Sequence, residues 1–212
     1  MKACRDSAFP SWRAIAAVLA AGVVAAACAT TEVRSQWADA AFANHSLKGA
    51  RVLVVCDAVE VSVRRNCQEQ IAAQVRQLGG VAVLGADSLH VGPAGATDPA
   101  LVSAAHSENA AAVLGVQLSP DATAVSSSPS FSFGFGGFGG SGNTAGGVGV
   151  AMPVGDTQVN TGYAANASLA DGPSGRLMWA AKIATPASSN LNTQVQELAK
   201  KLGEELLKAA VF

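Results

Sequence analysis

Cys56 and Cys67 stand 11 positions apart, and two thiols at that spacing can close a disulfide or supply half of a metal site. A zinc site needs two more ligands at suitable spacing, and none is near. Asp57 and Glu60 follow a short apolar run, and Asp87 follows a second one. In α/β proteins the loop edge at the carboxyl ends of strands is where ligands bind, so these three carboxylates are candidates for a ligand or catalytic role. The plainer reading is solvated loop charge. His45, His90 and His106 are scattered; His90 lies close in sequence to Asp87 and Ser88. A nucleophile needs a positioned base and an oxyanion site, and no nucleophile-elbow string is present. Gly134-Phe135-Gly136-Gly137-Phe138-Gly139 fits the dinucleotide-binding string. That motif works only between a buried strand and a helix, whereas here Ser and Gly flank it, so composition alone generates the match.

The N-terminus carries a different chemistry. Lys2, Arg5 and Arg13 against Asp6 give residues 2–13 a net charge of +2. Ala14–Ala27 is then an uncharged run of 14 residues, short of the roughly 20 that span a bilayer and ending in small side chains, as an export signal does. Val24-Ala25-Ala26-Ala27-Cys28 resembles the lipobox of bacterial lipoproteins, with Ala25 where Leu is usual. The resemblance implies cleavage before Cys28 and acylation of its thiol. At about 0.8 kcal/mol per buried methylene, two or three acyl chains make such an anchor effectively permanent. Ala29, rather than Asp, implies the outer membrane, with the domain on the periplasmic face.

The processed chain is expected to run over residues 28–212. Removing the signal's three basic residues and one acid from 14 and 15 leaves 11 Lys+Arg and 14 Asp+Glu, a net charge of −3. No basic block remains, which argues against nucleic acid as a partner. No metal or other cofactor is implied. Cys4 leaves with the signal and Cys28 is acylated, so Cys56 and Cys67 remain as a pair in a compartment that permits disulfides. A bonded pair is the expectation.

These residues need elements to hold them. Ala29–Ser46 reads as tether, with an apolar spot at Trp37 and Phe42. Ala50–Cys56 is a short apolar run of the kind buried on both faces of a sheet. Cys67, Ile71, Val75 and Leu78 have helical spacing over residues 63–78, closed by Gly79-Gly80. Arg64, Arg65 and Glu69 then mark the exposed helix start, with Asn66 as cap and Glu69 completing a capping box. Val81–Leu84 is a second strand. Asp98-Pro99 opens the next helix, and Ala111–Leu118 is a third strand, halted by Pro120. Gln158–Ala170 and Arg176–Ala184 read as an antiparallel hairpin. Leu191, Val195, Leu198, Leu202, Leu206 and Ala209 make one apolar stripe on a closing helix. The fold class is therefore α/β: a small mixed sheet, β-α-β-α-β, then a hairpin and a C-terminal helix. The expected organisation is a signal over 1–27, an acylated tether over 28–47 and one periplasmic domain over 48–212, with an insertion at about 126–149.

The assembled pattern resembles the α/β lipoprotein domain shared by CsgG, a curli secretion lipoprotein, and LpoB, a lipoprotein activator of a cell-wall synthase. The residues that carry it are the lipobox, Trp37-Ala38-Asp39 through Phe42, Arg51–Val55 and Arg64-Arg65-Asn66-Cys67-Gln68-Glu69. Ala112–Val116, Ser168-Leu169-Ala170-Asp171 and Gly175-Arg176-Leu177-Met178-Trp179 complete it. The resemblance implies a periplasmic domain that works through protein contacts without catalysis of its own. An enzyme or small-molecule binder using Asp57, Glu60 and Asp87 is the alternative.

Phe131, Phe133, Phe135 and Phe138 lie in the Gly/Ser-rich insertion. Extended, Phe-Ser-Phe-Gly-Phe places three rings on one face. Such rings can cover the domain's own sheet, meet a partner protein, or dip into a membrane interface.

Overall fold

Val52–Cys56 are five consecutive residues at no more than 1% exposure. Such a run is stable only with cover on both faces, and strand β2 (Arg51–Asp57) has it. The computed structural model describes residues 30–43, 45–127 and 157–212. The other elements are β1 (Glu32–Ala38), α1 (Val61–Gln77), β3 (Val81–Leu84), α2 (Pro99–Ser107), β4 (Ala112–Ser127), β5 (Thr157–Asp171), β6 (Leu177–Ala184) and α3 (Leu191–Lys208). They build an α/β fold on one six-stranded mixed sheet ordered β1-β6-β5-β4-β2-β3. β2 runs parallel to both β3 and β4; the remaining pairs are antiparallel.

Right-handed crossovers decide which helix takes which face. β2 to β3 steps outward over one face, and β3 back past β2 to β4 must return over the other. Accordingly Cys67, Ile71, Ala72 and Val75 of α1 pack with Val52, Val54 and Leu114, joined by Val195, Leu198, Leu202 and Leu206 of α3. Leu101 and Ala105 of α2 pack with Leu53, Val55 and Val113 on the opposite face. Gly79 closes α1 at a φ of +92°, a conformation that suits glycine. The Asp98 carboxylate caps α2 by accepting from the Ala100 amide at 2.9 Å.

Three local expectations are corrected. The tether does not extend to Ser46: Glu32–Ala38 is an edge strand, paired from Glu32 with Ala184 to Ala38 with Trp179. Its sequence shows no apolar alternation because most of it is exposed; only Val33 joins the core. Pro120 does not halt β4, which continues to Ser127 with Pro120 opposite Tyr163. β2 has already ended at Asp57 opposite Gln117. Beyond that point β4 is an edge on that side, and the register shifts between Pro120 and Ala122. A missing N–H is tolerated at an edge or bulge. Finally, Asn66 does not cap α1. The helix starts at Val61, with Glu60 at the N-cap making no side-chain bond, and the Asn66 amide donates to Asn192 Oδ1 at 3.0 Å.

Candidate functional site

The carboxyl ends of β2, β3 and β4 carry the predicted acidic candidates. Asp57 is the last residue of β2, on the α2 side of the sheet in register with Gln117. His90 places Nδ1 3.5 Å from Asp57 Oδ1, so the sequence neighbours Asp87 and Ser88 are not its partners. Asp87 instead pairs with Arg65 from α1. The hydrogen bond and charge of Arg65 hold the Asp87 carboxyl below its ordinary range, and Asp87 raises the guanidinium in return. Both side chains are more than half exposed, and a pair so hydrated adds little stability. Glu60 lies apart, beside a depression of about 390 Å³ lined also by Ser62, Asn190 and Asn192.

The three carboxylates therefore line three separate depressions: Glu60 the one above, Asp87 one of about 230 Å³ and Asp57 one of about 190 Å³. Among the described residues no group of three His, Cys, Asp or Glu is placed to share a metal ion.

Cys56 and Cys67 are joined by a disulfide with a Cα–Cα distance of 6.0 Å, and both are buried. It fastens the end of β2, next to Asp57, to the second turn of α1. Gln68, the next residue, is buried and donates through Nε2 to the carbonyls of Val54 and Gly85 at 3.0 and 2.8 Å. Strand ends and helix are thus tied together beneath the loop edge. Cys28, Phe131, Phe133, Phe135 and Phe138 lie outside the described residues, as does the Gly134–Gly139 string.

Two features escape the sequence pattern. Gln36 of β1, its amide oriented to satisfy both neighbours, accepts from Trp179 Nε1 at 2.9 Å and donates to Glu205 Oε2 at 3.2 Å. Glu205 is buried on α3 and also meets Lys208 and Lys201 at 2.8 and 3.4 Å. These contacts latch the edge strand to α3. The second feature is a line of polar side chains crossing the sheet. Ser35 pairs with Lys182, Lys182 with Asn166, Asn166 with Gln117 and Gln117 with Asp57. Asn166 and Ser168 at alternating positions of β5 and the lone Lys182 of β6 were the available signal; their alignment over five strands depends on register.

No protein-family model matches the chain, and no curated protein matches it. Among solved structures it is similar to the PelC dodecamer from Paraburkholderia phytofirmans, at 13% identity and a TM-score of 0.49 over 86% of this chain and 99% of that one. It is also similar to lipoprotein GNA1162 from Neisseria meningitidis, at 14% identity and a TM-score of 0.40 over 77% of this chain and 99% of that one. Neither score reaches one half, so the α/β architecture stands on the strand register described above.

Proposed function

We propose that the chain is a lipoprotein anchored through acylated Cys28, placed in the outer membrane on its periplasmic face. There it acts as a non-catalytic accessory or assembly factor through contacts with an envelope protein. The observation that carries this reading is the closeness of the lipobox-like string to the folded domain. β1 begins at Glu32, four residues after Cys28, and four residues span at most roughly 14 Å. An acyl anchor at Cys28 would hold the edge strand beside a bilayer rather than on a long tether. Among the described residues no helix is long and apolar enough to cross a membrane.

Protein contact has a structural opportunity in β1. Among the described residues it ends the sheet, and an outer row of backbone N–H and C=O groups at a sheet edge invites strand addition. The order of elements and the CsgG/LpoB-like residues support the same class of role. The rival reading, an enzyme or small-molecule binder at Asp57, Glu60 and Asp87, draws less support because those side chains line separate depressions.

Cys28→Ser tests the anchor. The expected result is loss of labelling by a palmitate analogue and release of the domain from membranes. Labelling at another residue, or retention on membranes at high salt, overturns the assignment. Cross-linking in intact cells tests the partner: a specific protein adduct supports the contact role, and turnover of a small molecule by a purified protein that forms no adduct overturns it.

A further inference from the structure

Among the described residues, the face of the sheet that carries α2 is only half covered. α2 packs over β2 and β4, and the turn Gly95–Thr97 reaches β5, where the Ala96 amide donates to Ser168 Oγ at 2.7 Å. Past that contact, among the described residues, no helix lies over this face of β5, β6 and β1.

The polar line runs along this open ground. Strand alternation puts Asp57 and Gln117 on the same face as the buried Val55 and Val113. The register continues that face through Asn166, Lys182 and Ser35. At one residue per strand and about 4.8 Å between strands, the row is roughly 19 Å long. A depression occupies each end. One, of about 310 Å³, is lined by Ser35, Trp37, Asn166, Ala180 and Lys182; the other holds Asp57 and Gln117. Trp37 is 49% exposed and stands opposite Ala180, whose small side chain leaves a flat shelf beside the indole.

Charge narrows the ligand. Lys182 Nζ lies 3.1 Å from Asp121 Oδ1, Arg34 Nη2 lies 3.5 Å from Asp121 Oδ2, and Arg34 Nε lies 2.7 Å from Glu32. The two cations are answered by two carboxylates, so an anionic polymer finds no uncommitted positive charge here. Among the described residues no hydrogen bond engages the side chains of Ser35, Gln117 or Asn166. Amides and hydroxyls both donate and accept, which suits a ligand bearing hydroxyls rather than one sign of charge. A peptide pairs with a sheet at its edge, because the backbone groups across a face are already used. A chain of pyranose rings offers what this face lacks: apolar C–H faces for the indole and hydroxyl rims for the amides.

We propose that this row, with Trp37 at its flank, binds an uncharged, extended glycan chain laid across the strands. The site is independent of the anchor at Cys28, so either assignment can fail without the other. The test is calorimetric titration of the detergent-solubilised full chain with chitohexaose and with cellohexaose. The expected result is saturable binding of at least one hexamer, weakened tenfold or more by Trp37→Ala. The Gln117→Ala/Asn166→Ala double variant should weaken it several-fold, with unchanged thermal unfolding. The proposal is overturned if neither hexamer binds. It is overturned equally if binding survives both variants in folded protein.

Discussion

Thr185 Oγ1 donates to Gln194 Oε1 at 2.8 Å, and both residues are buried. The pair joins the end of β6 to the first turn of α3. Gln194 Nε2 then donates to the carbonyls of Thr161 and Ser188, both at 2.9 Å. One side chain on the helix thereby adds a donor to two carbonyls where β5 meets the segment after β6.

Gln194→Leu removes a donor from both carbonyls, Thr161 keeping only the Ser188 amide at 3.5 Å, and an unsatisfied group costs roughly 1–3 kcal/mol. Urea unfolding should show a loss of that size. Thr185→Val should cost less, and the double variant should fall short of the sum of the two. Additive losses would mean that the two side chains act separately.

The Cys56–Cys67 disulfide closes a loop between cysteines 11 positions apart. Loop closure of that length contributes about 2–3 kcal/mol through the unfolded chain. The Cys56→Ser/Cys67→Ser variant should lose that much stability. Thiol counting on exported, unreduced, unfolded protein should find neither cysteine free; two free thiols would exclude the bond.

Glu205 predicts a pH dependence. The hydrogen bond from Lys208 holds its carboxyl below the ordinary glutamate range, aided by Lys201 and opposed by burial. With a folded value below the unfolded one, its contribution is fully present above the unfolded value, about 4.3. It is lost as pH falls through the folded value. Urea midpoints taken from pH 7 down to pH 3 should fall less steeply for Glu205→Gln than for the parent chain. Parallel curves would show that the ion pairs do not couple to folding.

Replacing Phe131, Phe133, Phe135 and Phe138 together with Ser separates the three roles open to those rings. Lowered thermal stability supports cover of the domain's own sheet. Unchanged stability with lost cross-links supports a partner, and weakened low-salt binding of the purified Cys28→Ser form to lipid vesicles supports interfacial contact. If all three survive, the segment is a spacer.

Much of the architecture was legible because burial imposes a period. The unbroken apolar run at Val52–Cys56 requires cover on both faces. The stripe from Leu191 to Leu206 requires a helix against a core, and both form. Asp98-Pro99 was legible for a local reason, since the cap and the missing N–H act within one turn. β1 was not legible, because a mostly exposed edge strand is selected for solubility rather than for an apolar pattern. The same limit applied at Pro120, whose tolerance depends on where β2 ends, a fact held by another strand. For the candidate site, sequence alone determined the residue types: the lipobox-like string at Cys28, the paired cysteines and the acidic loop edge. Tertiary structure alone decided their company. It set Asp57, Glu60 and Asp87 beside different depressions, turned Asp87 to Arg65, and aligned Ser35, Lys182, Asn166, Gln117 and Asp57 across five strands. Local pattern reports each residue's period and face, whereas strand order and register come from pairings between segments up to more than a hundred residues apart, which no local window contains.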